Sequence, residues 1–222
     1  MSDFINIFSS SDPSAISTSV KLILLLTVLS LAPGILILMT CFTRVIVILS
    51  FVRTSLATQQ MPPNQVLIGL ALFMTFFIMA PTFHEIYDEA LDPLFQEEIT
   101  LDEAYENASR PIKEFMANHT RQKDLALFLN YTEAERPETV QDIPLTALVP
   151  AFAISELKTA FQIGFMIFIP FLIIDMAVAS ILMSMGMMML PPVMISLPFK
   201  ILLFVLVDGW YLITHSILQG YS

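Results

Sequence analysis

Apolar residues gather in four runs, at about residues 22–43, 65–81, 161–185 and 199–218. Stretches 22–43, 54–84, 159–174 and 176–199 contain no Asp, Glu, Lys or Arg. A helix needs about 20 apolar residues to cross a hydrocarbon core of roughly 30 Å, so each run is a candidate span. The second run is the shortest, and Pro170 and Asp175 interrupt the third. The runs form two pairs, each joined by a short connection, with a polar segment between the pairs. The pattern predicts an all-α membrane protein. A polar tail at 1–19 precedes a first hydrophobic helical hairpin at 20–81. An acidic extracytoplasmic helical segment at 82–149 leads to a second hairpin at 150–222 with a Met-rich turn. Proline ends or redirects a helix. The turns are therefore expected at Pro62-Pro63 and at Gly186 with Pro191-Pro192.

The polar segment has helical periodicity. Thr100-Leu-Asp-Glu103 reads as a capping box, in which Thr and Glu satisfy free N–H groups at a helix start. Leu101, Tyr105, Ala108, Ile112, Phe115 and Met116 follow at three- and four-residue steps, one face of a helix. Ile86, Ala90, Leu91, Leu94 and Phe95 make a similar stripe. These stripes imply packing on the hairpins or on a neighbouring copy. Pro111 is expected to break or bend its helix, and Arg136-Pro137 and Ile143-Pro144 mark the return to the third run.

Composition supports the membrane reading. The chain has 222 residues, of which 56% are hydrophobic and only 14% charged, against roughly 25% charged in a soluble domain. Mean hydropathy is +0.75. A cytosolic enzyme domain and a disordered tail are excluded. The net charge of −10 opposes nucleic-acid binding, which needs clustered positive charge. That surplus of acid lies wholly between residues 85 and 142. The 44–64 connection holds Arg44 and Arg53 and no acid, and the 186–198 connection is uncharged ahead of Lys200. Basic short loops face the cytoplasm, so 82–158 and both termini are expected outside it. Met1–Ser19 lacks a basic start and a small-residue cleavage site, so no cleaved signal peptide is expected.

Few residues invite chemistry. His84, His119 and His215 are far apart and share no ligand spacing with the single cysteine, Cys41. No metal, cofactor or catalytic motif is expected, and the flanks of Asp175 and Asp208 do not resemble those of an intramembrane aspartyl enzyme. Asn107, Asn118 and Asn130 head formal glycosylation triplets, which chance explains better in a loop rich in Asn, Ser and Thr. Charges in apolar runs are more telling, because a carboxylate in a bilayer costs a few kcal/mol and takes a partner or water. Glu156, Lys158, Asp175 and Lys200 are the candidates, with Asp208. Two readings stand: buried ion pairs that hold helices or subunits together, and a proton path. Residues 183–194 read Met-Ser-Met-Gly-Met-Met-Met-Leu-Pro-Pro-Val-Met. Methionine fills irregular gaps, so packing is one account. Apolar side chains in a turn also fit a soft ring lining a pore.

Three stretches resemble the FliP family of the flagellar type III export gate. They are Thr43-Arg44 through Arg53 with Gln59-Gln60-Met-Pro62-Pro63-Asn64-Gln65-Val66-Leu67, then Pro150 through Gly164, then Pro170 through Met176 with Met183 through Pro192. The resemblance runs from about residue 20 to the end. It implies a pore-forming core subunit that passes unfolded flagellar subunits across the cytoplasmic membrane and is not itself an enzyme. It implies assembly with further FliP copies, with FliQ and with FliR in the flagellar basal body, as bent hairpins projecting well beyond the bilayer. It points to Met187, Met188 and Met189 as the seal of the closed pore. An equivalent subunit of a virulence-type injectisome is the nearest alternative, and a small stand-alone transporter a more remote one. Many relatives carry a cleavable N-terminal signal, which this chain is not expected to have.

Overall fold

The computed structural model describes residues 26, 27, 30, 33–58, 60–131, 137–187 and 189–221. The tail 1–19, Gln59, Glu133, Glu135, Arg136 and Met188 lie outside them. The chain divides into two compact units, Met1–Ile37 and Leu38–Ser222. In the first, residues 26, 27, 30 and 33–37 are helical.

Within the second unit every regular element among the described residues is helical. Helix α1 (Phe42–Ser55) is its centre. Val45, Ile48, Leu49 and Val52 recur at three- and four-residue steps and are all buried, so one face is covered along the full length. The first apolar run was expected to end near 43, with 44–64 as a basic cytoplasmic connection. Helix instead continues to Ser55, and only 56–63 connects. The apolar period carries on past Arg44, and that period decides the helix where charge alone placed the boundary too early. Arg44 is buried and no longer counts as a loop cation in the orientation argument.

Pro63 caps α2 (Asn64–Ile86). A widened π-type turn at Tyr87–Leu91 and a short helix α3 (Asp92–Phe95) extend it. The stripe Ile86–Phe95 is thus continuous with α2. Helix α4 (Leu101–His119) opens with both halves of the Thr100–Glu103 capping box. Of the two expected outcomes at Pro111, a break does not occur, and the helix runs through it. Helix α5 (Gln122–Tyr131) follows, and a 3-10 turn at Val140–Asp142 carries a second capping box from Thr139 to Asp142. Met116, Ile143, Leu148 and Phe152 form a small core under α4. Burying a side chain such as Phe152 contributes roughly 1.5–3 kcal/mol.

Helix α6 (Leu145–Ser184) has 40 residues. At 1.5 Å per residue it is about 60 Å long, twice the hydrocarbon thickness. Its two halves differ. Ala147, Leu148, Ala151, Phe152, Ser155, Glu156, Ala160 and Gly164 are buried, but beyond Gly164 only Phe171 and Leu182 are. Gly164 marks the close approach of α1, since a Cβ there would stand 2.5 Å from the Phe51 ring. Helix α7 (Pro192–Leu206) buries Ser196, Lys200 and Phe204. Helix α8 (Gly209–Gln219) buries Gly209, Ile213 and Ile217. The fourth run is therefore two helices, bent by 61° at Asp208, which is exposed and left-handed with φ +50°. Aspartate tolerates that conformation better than most residues. Among the described residues two helices, Asn64–Phe95 and Leu145–Ser184, are long and apolar enough to cross a membrane, or up to four if each bent pair counts as one span.

Candidate functional site

The first cluster joins α1, α6 and the chain end. Arg44 extends from α1 with Nη2 donating to Oε1 of Glu156 on α6, and both residues are buried. Arg44 Nη1 donates to the Gly220 carbonyl at 3.2 Å. The Tyr221 hydroxyl donates to Glu156 Oε2, and the Arg44 guanidinium lies 4.0 Å from the centre of the Tyr221 ring. His119 and Phe115 of α4 flank that ring, with centroids 4.9 and 6.1 Å away. Removing two ions from water costs several kcal/mol each, so such a pair persists only with good geometry and further hydrogen bonds. Both Glu156 oxygens are engaged here. Arg44 Nε is buried and has no partner among the described residues.

The second cluster lies between α6, α7 and the end of α1. Lys200 Nζ is 2.6 Å from Asp175 Oδ2 and donates to the Ser55 carbonyl at 3.1 Å. The Ser196 hydroxyl donates to Asp175 Oδ1 at 2.5 Å. Ser196 and Lys200 are four residues apart on α7, one turn on the same face, which lets both reach one carboxylate. No ion pair links the two clusters among the described residues.

Of the four charges expected in buried pairs, Glu156 meets Arg44, Asp175 meets Lys200, and Lys158 does neither. Lys158 is exposed and makes no ion pair among the described residues; its charged neighbours are Lys123, Arg121 and Asp124. The reason is helical geometry. Two residues along a helix rotate the side chain to nearly the opposite side, so Lys158 faces outward when Glu156 faces in. Nearby, Arg121 N–H donates to the Ser155 hydroxyl at 3.1 Å, which donates to Asp124 Oδ2 at 2.7 Å. Desolvation works against the Asp124 anion, yet the Ser155 hydroxyl and Arg121 outweigh it and hold its carboxyl below the usual range.

The methionine turn is the third feature. Gly186 has φ +72°. Its N–H bonds the Met183 carbonyl at 3.1 Å, and the Met187 N–H bonds the Leu182 carbonyl at 3.0 Å. This is a Schellman motif, which ends a helix with a left-handed residue and favours glycine there. Pro191 caps α7 and Pro192 is its first residue, where a missing N–H is no loss. Between these stops Met187 is half-buried and Met189 is 98% exposed. Met188 lies outside the described residues. No group of three or more His, Cys, Asp or Glu is placed to hold a metal among the described residues.

Sequence reasoning missed Arg44, Tyr221, Ser55 and Ser196 as members of these clusters. Arg44 carried a signal in its place inside an unbroken apolar period. Tyr221 carried none, because its role depends on where the chain end comes to rest.

The sequence pattern of the FliP family matches residues 25–217. The chain is 78% identical over 221 residues to the flagellar biosynthetic protein FliP of Bacillus subtilis (strain 168), covering 100% of both chains. It is 54% identical over 203 residues to FliP of Caulobacter vibrioides, covering 91% of this chain and 76% of that one. It is 53% identical over 203 residues to FliP of Pectobacterium carotovorum, covering 91% and 79% respectively.

Proposed function

Because the chain belongs to the FliP family, we propose that it is a pore-forming core subunit of the flagellar type III protein export gate. In this reading it sits in the bacterial inner membrane at the flagellar basal body. It assembles with further copies of itself and with FliQ and FliR, among the other parts of the export apparatus. It passes unfolded subunits outward and acts as a conduit, not an enzyme.

The observation that carries this reading is the bare half of α6 and the turn beyond it. Phe165, Met166, Ile173 and Met176 are exposed, as is Met189. A single chain leaves this surface uncovered in a helix about twice as long as the hydrocarbon core is thick. The bare stretch beyond Gly164 is itself about 30 Å long, one hydrocarbon thickness; in this reading lipid covers its outer side and other subunits cover its inner side. The methionine turn then faces a shared axis. A hydrophobic constriction blocks ions by dewetting with no fixed charge, and flexible thioethers repack around a passing chain.

The test is a deletion strain complemented with this chain, read by export of flagellar subunits into the medium and by the native mass of the detergent-solubilised complex. Restored export together with a discrete oligomer is expected. A stand-alone monomer that conducts a solute would overturn the proposal.

A further inference from the structure

Two faces of the second unit mix exposed apolar side chains with charge of opposite sign, and neither is covered by the described residues. The first lies on α6 and α5. Ile154, Leu157 and Phe161 are exposed at steps of three and four residues around Lys158, on the side of α6 opposite its buried stripe. Lys158 stands beside Lys123 of α5, and both are exposed. Like charges held this close repel unless an anion joins them. The second face is the start of α4. Leu101 and Tyr105 are 73% and 66% exposed, whereas Met116, further along the same stripe, is fully buried. Asp102 and Glu106 run beside Leu101 and Tyr105, one turn apart and exposed. A shallow apolar cavity of about 130 Å³ lies next to them, lined by Met39, Tyr105, Ala108, Ser109, Ile112 and Leu145.

Lipid is a poor cover for the first face. Ser155 is hydrogen-bonded to the Arg121–Asp124 corner, so Ile154, Leu157 and Phe161 stand level with a charged loop, not with hydrocarbon. The chain's net charge of −10, concentrated in this same segment, repels anionic headgroups. Among the described residues Arg121, Lys123 and Lys158 gather around one acid, Asp124, so the face keeps a surplus of positive charge, and the second face presents the opposite sign.

We propose that neighbouring copies of this chain dock through these two faces, Lys123 and Lys158 of one copy meeting Asp102 and Glu106 of the next. The apolar side chains around the lysines cover Leu101 and Tyr105 and fill the adjoining cavity. Because the two faces differ, the contact is head-to-tail and propagates into a ring or a helix of subunits. This inference rests on the oligomeric reading above and adds the surface that builds the oligomer.

The experiment uses the full chain in membranes. Reversing Lys123→Glu and Lys158→Glu together sets acid against acid, and is expected to lower the yield of oligomer about tenfold or more. Adding Asp102→Lys and Glu106→Lys to the same chain is expected to restore it, which a mere folding defect would not allow. Cysteines at Leu157 and Tyr105 are expected to give a disulfide-linked ladder only when both are present, since Cys41 is buried. Normal oligomers from the doubly reversed chain, or failure of the four-fold swap to rescue, overturns the docking contact alone. Reversal that weakens binding to anionic-lipid vesicles but spares the oligomer assigns the lysines to lipid and also overturns it. A wild-type chain that stays monomeric even when expressed with its partners overturns the oligomeric reading itself.

Discussion

Arg44 and Glu156 stand 112 positions apart in sequence and meet as a buried ion pair between α1 and α6. Tyr221 completes the pair from the chain end, so one carboxylate ties three distant stretches together. Arg44→Met is expected to destabilise the protein by roughly 3–5 kcal/mol, because it strands Glu156 without its counter-charge. Unfolding in detergent measures the loss. The double variant Arg44→Met with Glu156→Leu is expected to lose less than Arg44→Met alone. Equal stability of Arg44→Met and wild type would refute the cluster's structural role.

The Asp175–Lys200 pair predicts an order of failure. Asp175→Ala or Lys200→Ala leaves one charge unpaired among apolar helices and is expected to reduce assembled complex before it alters conduction. Native gels and export assays on the same membranes separate the two effects. Variants that assemble at wild-type level but no longer respond to the proton gradient would favour a proton path instead.

Replacing Met187, Met188 and Met189 together by alanine tests the turn. The variant is expected to assemble and to export while leaking small ions, read as a conductance in reconstituted bilayers. Reduced assembly with no leak would mean that these side chains only pack. Gly186→Ala is expected to cost about 1 kcal/mol at the turn itself, since φ +72° suits glycine.

The two capping boxes set an acid limit. Glu103 accepts hydrogen bonds from the Thr100 N–H and hydroxyl at 2.8 and 2.9 Å. Asp142 accepts them from the Thr139 hydroxyl and N–H at 2.7 and 2.9 Å. These bonds favour the charged form and lower both carboxyls below their ordinary values. A carboxyl lowered on folding adds stability above its unfolded pKa, and that addition fades as pH falls through the folded one. Wild type is therefore expected to lose its advantage over Glu103→Gln with Asp142→Asn as pH falls through and below the ordinary carboxylate range. Helix content followed by circular dichroism reads this, and an advantage that persists at the acid end would contradict it.

Topology has its own check. A cysteine at Glu138, exposed between α5 and α6, is expected to react with an impermeant reagent added outside the cell. Labelling only in inverted vesicles would reverse the orientation.

The sequence by itself determined the class and the stops. Long uncharged runs admit helix in a membrane because helix satisfies every backbone group internally, and that needs no knowledge of neighbours. The capping box at Thr100 and the turns at Pro62-Pro63, Gly186 and Pro191-Pro192 were equally legible, being local backbone chemistry. Tertiary structure decided the rest. Whether a charge is buried depends on which helix lies opposite it. Glu156 and Lys158 looked alike in one motif, yet one faces α1 and the other faces outward. Arg44 read as a loop cation until α6 supplied its partner. The stripe on α4 read as one face, but Phe115 and Met116 pack inward while Leu101 and Tyr105 stay bare. Helix α4 outruns the small core beneath it, and periodicity along one helix carries no information about where the neighbouring helix ends.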